Sequence, residues 1–469
     1  MTVIKTVDSL ISGFRGCFSR EAAFLWFSVV IFGFVVRFDH QGISSIVRWL
    51  FPGPSCYDPM PRFFRAASWD PEDLVSHRIR TAVSRYPLVT FGGRPLLIGD
   101  GIRISKESPK MPGVKSPHRD SENSGKPDFM RGHHFGHVGL LVGCLAKSLR
   151  LPLHGQIHEG AGATRHDIGE GKHTVVTRMA NLVLRTAARI GIPCYVTPDA
   201  YFAVGPAFLI FGDAVSEKGE QLVRLITRAK SNHVGYAVPG DDSRKKFREG
   251  DKVILREVFE SSGQFGETEV TTGGNVGTVR CRVTALLWRP VGAVIRFVPV
   301  IDGDARYILM CSDLTLSAGR IVTICPYRSK VENMFLMPEH LIGGFCHHFR
   351  TKAFPRLGRG EEPNLCELGD SEMNRVSLTL EATERFVSLA GIALGIPQYV
   401  SLTRAAEVWE KYQGWLRTVS SEHPSEGVVQ SVIRTEFPFS GKVPADGTLR
   451  MIRERSRGGP SDLLCDPDI

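Results

Sequence analysis

No Cys-x-x-Cys pair occurs in this 469-residue chain; its ten cysteines stand singly, most of them inside apolar runs. That spacing argues against a zinc ribbon or a secreted disulfide scaffold, and for a reducing compartment in which thiols act as small hydrophobes. Gly-x-Gly-x-x-Gly and Gly-Lys-Ser/Thr are missing around Gly99–Gly101 and Gly273–Gly274, so a nucleotide-binding loop is unsupported. Gly-x-Ser-x-Gly and His-Glu-x-x-His are absent too, which removes the usual signatures of serine hydrolases and zinc proteases. There is no internal repeat. Long apolar runs are scarce. The segment that invites a membrane reading, Ala22 to Val36, would span roughly 22 Å as a helix, short of a hydrocarbon core of about 30 Å. Flanked by Arg20-Glu21 and Arg37, with no small-residue cleavage site, it reads as a buried core helix.

The chain does carry globular proportions, 42% hydrophobic and 23% charged, and a net charge of +9 that favours a polyanionic partner. Its length suits two to four domains. Two aspartates each end a short apolar run: Leu96-Leu97-Ile98-Gly99-Asp100 and Cys194-Tyr195-Val196-Thr197-Pro198-Asp199. Glu332 follows far downstream, four residues after Arg328, so that one helical face would let the guanidinium orient the carboxylate. Singly, each acid is a turn, cap or surface residue. Together they are three hard oxygen ligands of the kind that hold divalent metal for phosphoryl transfer. Asp302, Asp304 and Asp313 are rival acids and read as turn residues.

At these residues the chain resembles the DDE transposases of bacterial insertion sequences, in particular the group with a β-rich insertion between the second Asp and the Glu. That group's signature runs Tyr, two residues, Arg, three residues, Glu, six residues, Lys. Arg328 and Glu332 match it, whereas Cys325 and Glu339 stand at the Tyr and Lys positions. The resemblance implies an α/β fold with a ribonuclease-H-like mixed sheet, flanking helices, and helical N- and C-terminal regions. It implies Asp100, Asp199 and Glu332 as metal ligands for two Mg²⁺ (or Mn²⁺) ions, with Arg328 beside them. Double-stranded DNA, as transposon terminal inverted repeats and as target, would be the partner. The enzyme would act as a homodimer on the DNA, in the cytoplasm and without a membrane. The alternative is a catalytically inactive DNA-binding relic of such an enzyme; a membrane-associated protein anchored through Ala22–Val36 is a distant third.

Hydrophobic periodicity supplies the layout: a helical region over 1–88, a first core part over 89–230, a β-rich insertion over 231–304, the rest of the core with the Glu helix over 305–350, and a helical region with a disordered tail over 351–469. Asp70-Pro71-Glu72-Asp73 has the chemistry of a helix start. Its helix carries Arg78, Arg80 and Arg85, which either contact DNA or belong to a helical layer packed on the core. The polar loop with Lys106, Lys110, Lys115, Arg119 and Arg131 is expected to meet phosphates. His133 and His137 lie in a strand-like stretch that separates them by about 13 Å, so phosphate or core contacts outrank a shared zinc. His347-His348 reads the same way. Pro326 suits the first turn of the Glu332 helix and Pro338 would end or kink it.

Overall fold

The computed structural model describes residues 2–39, 41–50, 57–106, 108–115, 131–159, 174–238, 250–260, 264–356, 367–419, 422–439 and 447–452. Side chains of Glu159, Thr272, Pro438, Phe439 and residues 330–333 lie outside that description. The architecture is mixed α/β, with a 13-stranded mixed and mostly antiparallel sheet covered by helices.

The chain opens with five helices: α1 (Val3–Ser12), α2 (Glu21–Val36), α3 (Gly42–Leu50), α4 (Pro59–Phe63) and α5 (Pro71–Arg85). Helix α2 is apolar all round, so it has to be enclosed, and nearly every residue from Ala23 to Val36 is buried. Gly33 lets α3 approach closely, since a Cβ there would come within 2.4 Å of Ile46 Cγ2. Helix α5 starts as its sequence demands: Asp70 accepts from the Glu72 N–H, with Pro71 in the first turn.

Next come β1 (Thr90–Phe91), β2 (Arg94–Ser105), β3 (Gly132–Gly143), β4 (Ser148–Glu159), α6 (Val175–Ile190), β5 (Cys194–Val196), α7 (Gly205–Gly212) and β6 (Val223–Arg228). Strands β4, β3 and β2 form an antiparallel meander. Helix α6 is the crossover that lets β5 lie parallel to β2, and β6 is parallel to β5. Its apolar stripe, Val176, Met179, Val183, Ala187 and Ile190, packs with Leu97, Val138 and Val196.

A strand-rich stretch extends the same sheet: β7 (Val234–Ala237), β8 (Lys252–Ile254), β9 (Gly266–Thr272), β10 (Asn275–Cys281), β11 (Thr284–Trp288), β12 (Ala293–Asp302) and β13 (Ala305–Cys311). The long path runs β4-β3-β2-β5-β6-β13-β12-β11-β7-β8, with the β9–β10 hairpin joined to β12. Asp302 closes the β12–β13 hairpin opposite Ala305, with Asp304 in the turn, as expected of turn residues. Asp313 is buried, accepting from Tyr195 Oη at 2.8 Å and from Thr315 Oγ1 at 2.6 Å.

The remaining helices are α8 (Ala318–Ile324), α9 (Val331–Leu336), α10 (Asp370–Thr403), α11 (Ala405–Lys411) and α12 (Glu426–Phe439). Helix α10 is long and apolar enough to cross a membrane, but 78% of its apolar window is buried inside the fold. It runs unbroken through Pro397 to Thr403, and α11 follows after Arg404. Helices α1, α2, α3, α10 and α12 share one apolar cluster, so both ends of the sequence build a single helical layer. Most of the expected disordered tail, 440–446 and 453–469, lies outside the described residues.

Candidate active site

Parallel pairing of β2 with β5 sets Leu96 beside Tyr195 and Leu97 beside Val196. Counting three residues on from Leu97 and Val196 reaches Asp100 and Asp199. The two aspartates therefore follow the paired residues at the same offset, Asp100 still within β2 and Asp199 just past the end of the parallel strand β5. Strand β5 stops at Thr197-Pro198, because proline lacks the N–H the ladder would need. Asp199 then caps a 3-10 turn over Ala200–Phe202, its Oδ1 accepting from the Ala200 N–H. The Thr227 hydroxyl of β6 donates to the carbonyls of Pro198 and Asp199, at 3.2 and 3.0 Å, and anchors this corner. Strand β2, in contrast, continues to Ser105, and Asp100 Oδ1 accepts from the Gly101 N–H at 2.7 Å.

Arg328 reaches this pair, with Nη2 3.0 Å from Asp199 Oδ2. It sits in a 3-10 segment, Cys325–Lys330, and the α-helix proper begins only at Val331. Arg328 thus lies on the 3-10 turn and Glu332 on the α-helix that follows it, and the ion pair seen for Arg328 is with Asp199. Burial pushes the Asp100 carboxyl above its ordinary value. Asp199 adds to that rise, while the Gly101 N–H, Arg328 and His134 oppose it. Two carboxylates thus share the field of one guanidinium.

Helix α9 brings Glu332 toward this region. Its Met334 and Phe335 pack on Ile98 and Ile102, the residues two before and two after Asp100, so α9 covers the strand face from which Asp100 projects. Met334 lies over Gly139, the partner of Ile98 on β3. The Glu332 side chain lies outside the described residues. As expected of Pro338, the α-helix is short and ends at Leu336, two residues before it. The chain continues as a π-helical turn, Met337–Ile342, on which Glu339 is exposed. The buried Arg37 guanidinium donates to the carbonyls of Ile342 and Gly343, at 2.6 and 3.0 Å, and fastens the end of that turn to α2.

The expected phosphate-binding side chains divide. Lys110 and Lys115 are exposed, Arg131 is half-buried, and Arg119 lies outside the described residues. Lys106 is corrected. It is buried, and its Nζ donates to the carbonyls of Phe345 and His347, at 2.7 and 2.9 Å, with its pKa brought down to about 8 by burial. That ammonium serves the interior. Arg78 is buried as well, donating to the carbonyls of Gly391 and Leu153, so for it the packed-layer reading holds; Arg80 and Arg85 are exposed.

The histidines lie in strand β3, as read. His133 sits between His347 Nε2 at 3.0 Å and the Pro112 carbonyl at 2.8 Å, and burial lowers its pKa to about 4 and that of His137 to about 3. Both are neutral core groups. Sequence reasoning missed His134, which packs against Gly101 beside Asp100. A histidine in a strand carries no mark of its neighbour across the sheet. No protein-family model and no curated protein matches this chain, so the reading of the site rests on its geometry.

Proposed function

We propose that this chain is a DDE transposase, a metal-dependent enzyme that cleaves DNA at transposon ends and joins the freed strand to target DNA. The observation that carries the reading is the β2–β5 register, which sets Asp100 and Asp199 side by side with Arg328 against them. The order β4-β3-β2-β5-β6, antiparallel through the first three strands and parallel through the last three, supports a ribonuclease-H-like core. Strands β7 to β12 lie between Asp199 and Glu332, where that group of transposases has its β-rich insertion.

The donors fit a hard divalent cation. Both are carboxylates, and burial, with a smaller contribution from Asp199, keeps the Asp100 pKa raised although the Gly101 N–H and Arg328 oppose the rise. Asp100 and Asp199 would hold Mg²⁺, with Glu332 completing the set. Bound Mg²⁺ would activate the attacking water or 3′-hydroxyl and stabilise the leaving oxygen. The chain itself supplies position and charge. Strands β2 and β5 fix the carboxylates, and the half-exposed Arg328 guanidinium offers a planar donor to a phosphate oxygen. Exposed Lys110 and Lys115 suit the backbone of double-stranded DNA, held by a homodimer on the terminal repeats.

The test is nicking of DNA carrying the element's terminal inverted repeats, with and without Mg²⁺. The wild-type chain should nick only with the metal, whereas Asp100→Asn and Asp199→Asn should bind the DNA and leave it intact. Equal nicking by both variants would sink the proposal. Binding without nicking by the wild type would identify the inactive relic.

A further inference from the structure

Far from the aspartates, the turn between β3 and β4 presents a cysteine to the segment that leads into α12. Gly143 turns the chain with φ +102°, a conformation that suits glycine. Cys144 N then donates to the Lys147 carbonyl at 3.3 Å. The Lys147 N–H points back at Cys144 Sγ, 3.4 Å away. From the other side come Glu422 and His423. Their backbone is fixed by the Ser401 hydroxyl of α10, which donates to the Pro424 carbonyl at 2.6 Å, and by the Lys147 ammonium, which donates to the His423 carbonyl.

We propose that Cys144, Glu422 and His423 bind a zinc-class divalent cation that ties the β3–β4 turn to the start of α12. One ligand atom from each lies within 4.8 Å of the other two, and Cys144 Sγ is 3.6 Å from Glu422 Oε2. His423 Nδ1 is shielded from solvent and makes no hydrogen bond. Sulfur, nitrogen and oxygen together select a borderline-soft ion over Mg²⁺, and three protein ligands leave a fourth tetrahedral position for water. Cys144 and Glu422 are exposed, so the ion enters directly from solvent. A thiolate and a carboxylate would balance its two charges, beside the Lys147 ammonium that donates to the His423 carbonyl. The ion would fasten the β3–β4 hairpin, one strand of which faces Asp100, to the helical layer.

The experiment is a Co²⁺ titration of the full chain with Mg²⁺ in excess, followed by absorption, then displacement by Zn²⁺. One equivalent should produce a sulfur-to-cobalt charge-transfer band that Zn²⁺ abolishes. Cys144→Ser should remove the band, Cys17→Ser should keep it, and His423→Ala should weaken binding about tenfold or more. A titration without the band, or a band that survives Cys144→Ser, would overturn the proposal. The carboxylate site holds no sulfur, so this result is independent of the phosphoryl-transfer reading.

Discussion

Met334 of α9 rests on Gly139 of β3 so closely that a Cβ on residue 139 would come within 2.4 Å of the Met334 sulfur and 3.3 Å of the Leu151 carbonyl oxygen. The glycine lets the Glu332 helix lie against the sheet, over the strand that carries Asp100.

Gly139→Val should therefore lift α9 from β2. Overpacking at such a contact costs about 1–3 kcal/mol, readable by urea denaturation. Nicking should fall by more than the lost folded population explains. A variant with wild-type stability and activity would mean that α9 moves freely without consequence.

Arg328→Gln separates position from stability. Its ion pair with Asp199 joins side chains 39% and 38% exposed, so its loss should cost less than about 1 kcal/mol. If the guanidinium meets a phosphate, cleavage should drop about 100-fold. Comparing melting curves with nicking rates checks the contrast, and unchanged nicking would leave Arg328 a surface ion pair only.

Asp100→Asn should stabilise the protein in chelator. The folded pKa is raised, so the folded state holds this proton more tightly than the unfolded chain does. The corresponding stability is full below the ordinary value of 3.8 and is lost as pH rises through the folded value. At pH 7 the ionised wild type bears that cost and the amide does not. The advantage of the variant should shrink toward zero as pH falls below about 3.8. Adding Mg²⁺ should stabilise the wild type alone. A variant less stable than the wild type at pH 7 in chelator would contradict this account.

Buried and exposed cations should differ in kind. Arg78→Ala leaves the carbonyls of Gly391 and Leu153 without their donor, at a cost of about 2–4 kcal/mol. It should not change the salt dependence of DNA binding measured where the variant is folded. Lys115→Ala should barely affect stability and should lower the salt slope by about 0.9. The reverse pattern would relocate the DNA surface.

Much of the core was legible because periodicity is a local property. Runs rich in Val, Leu and Gly make β2, β3 and β4 legible, and the helical stripe from Val176 to Ile190 makes α6 legible. Short elements such as α7, α8, β9 and β11 are below the length at which a pattern repeats often enough to be recognised. Helix α12 is longer and falls within the stretch read as helical, 351–469. Lys106 misled for another reason. It lies among polar residues in sequence and reads as solvated, yet carbonyls from a distant segment accept its protons inside the fold.

By itself the sequence determined which residues alternate, where α2 had to be enclosed, and that Asp100 and Asp199 follow short apolar runs. Only the tertiary structure decided that Leu97 lies beside Val196, and with it that the two aspartates face a common guanidinium. Strand alternation is set by the two-residue repeat of each backbone, whereas pairing register and desolvation depend on surfaces supplied by chain a hundred or more residues away.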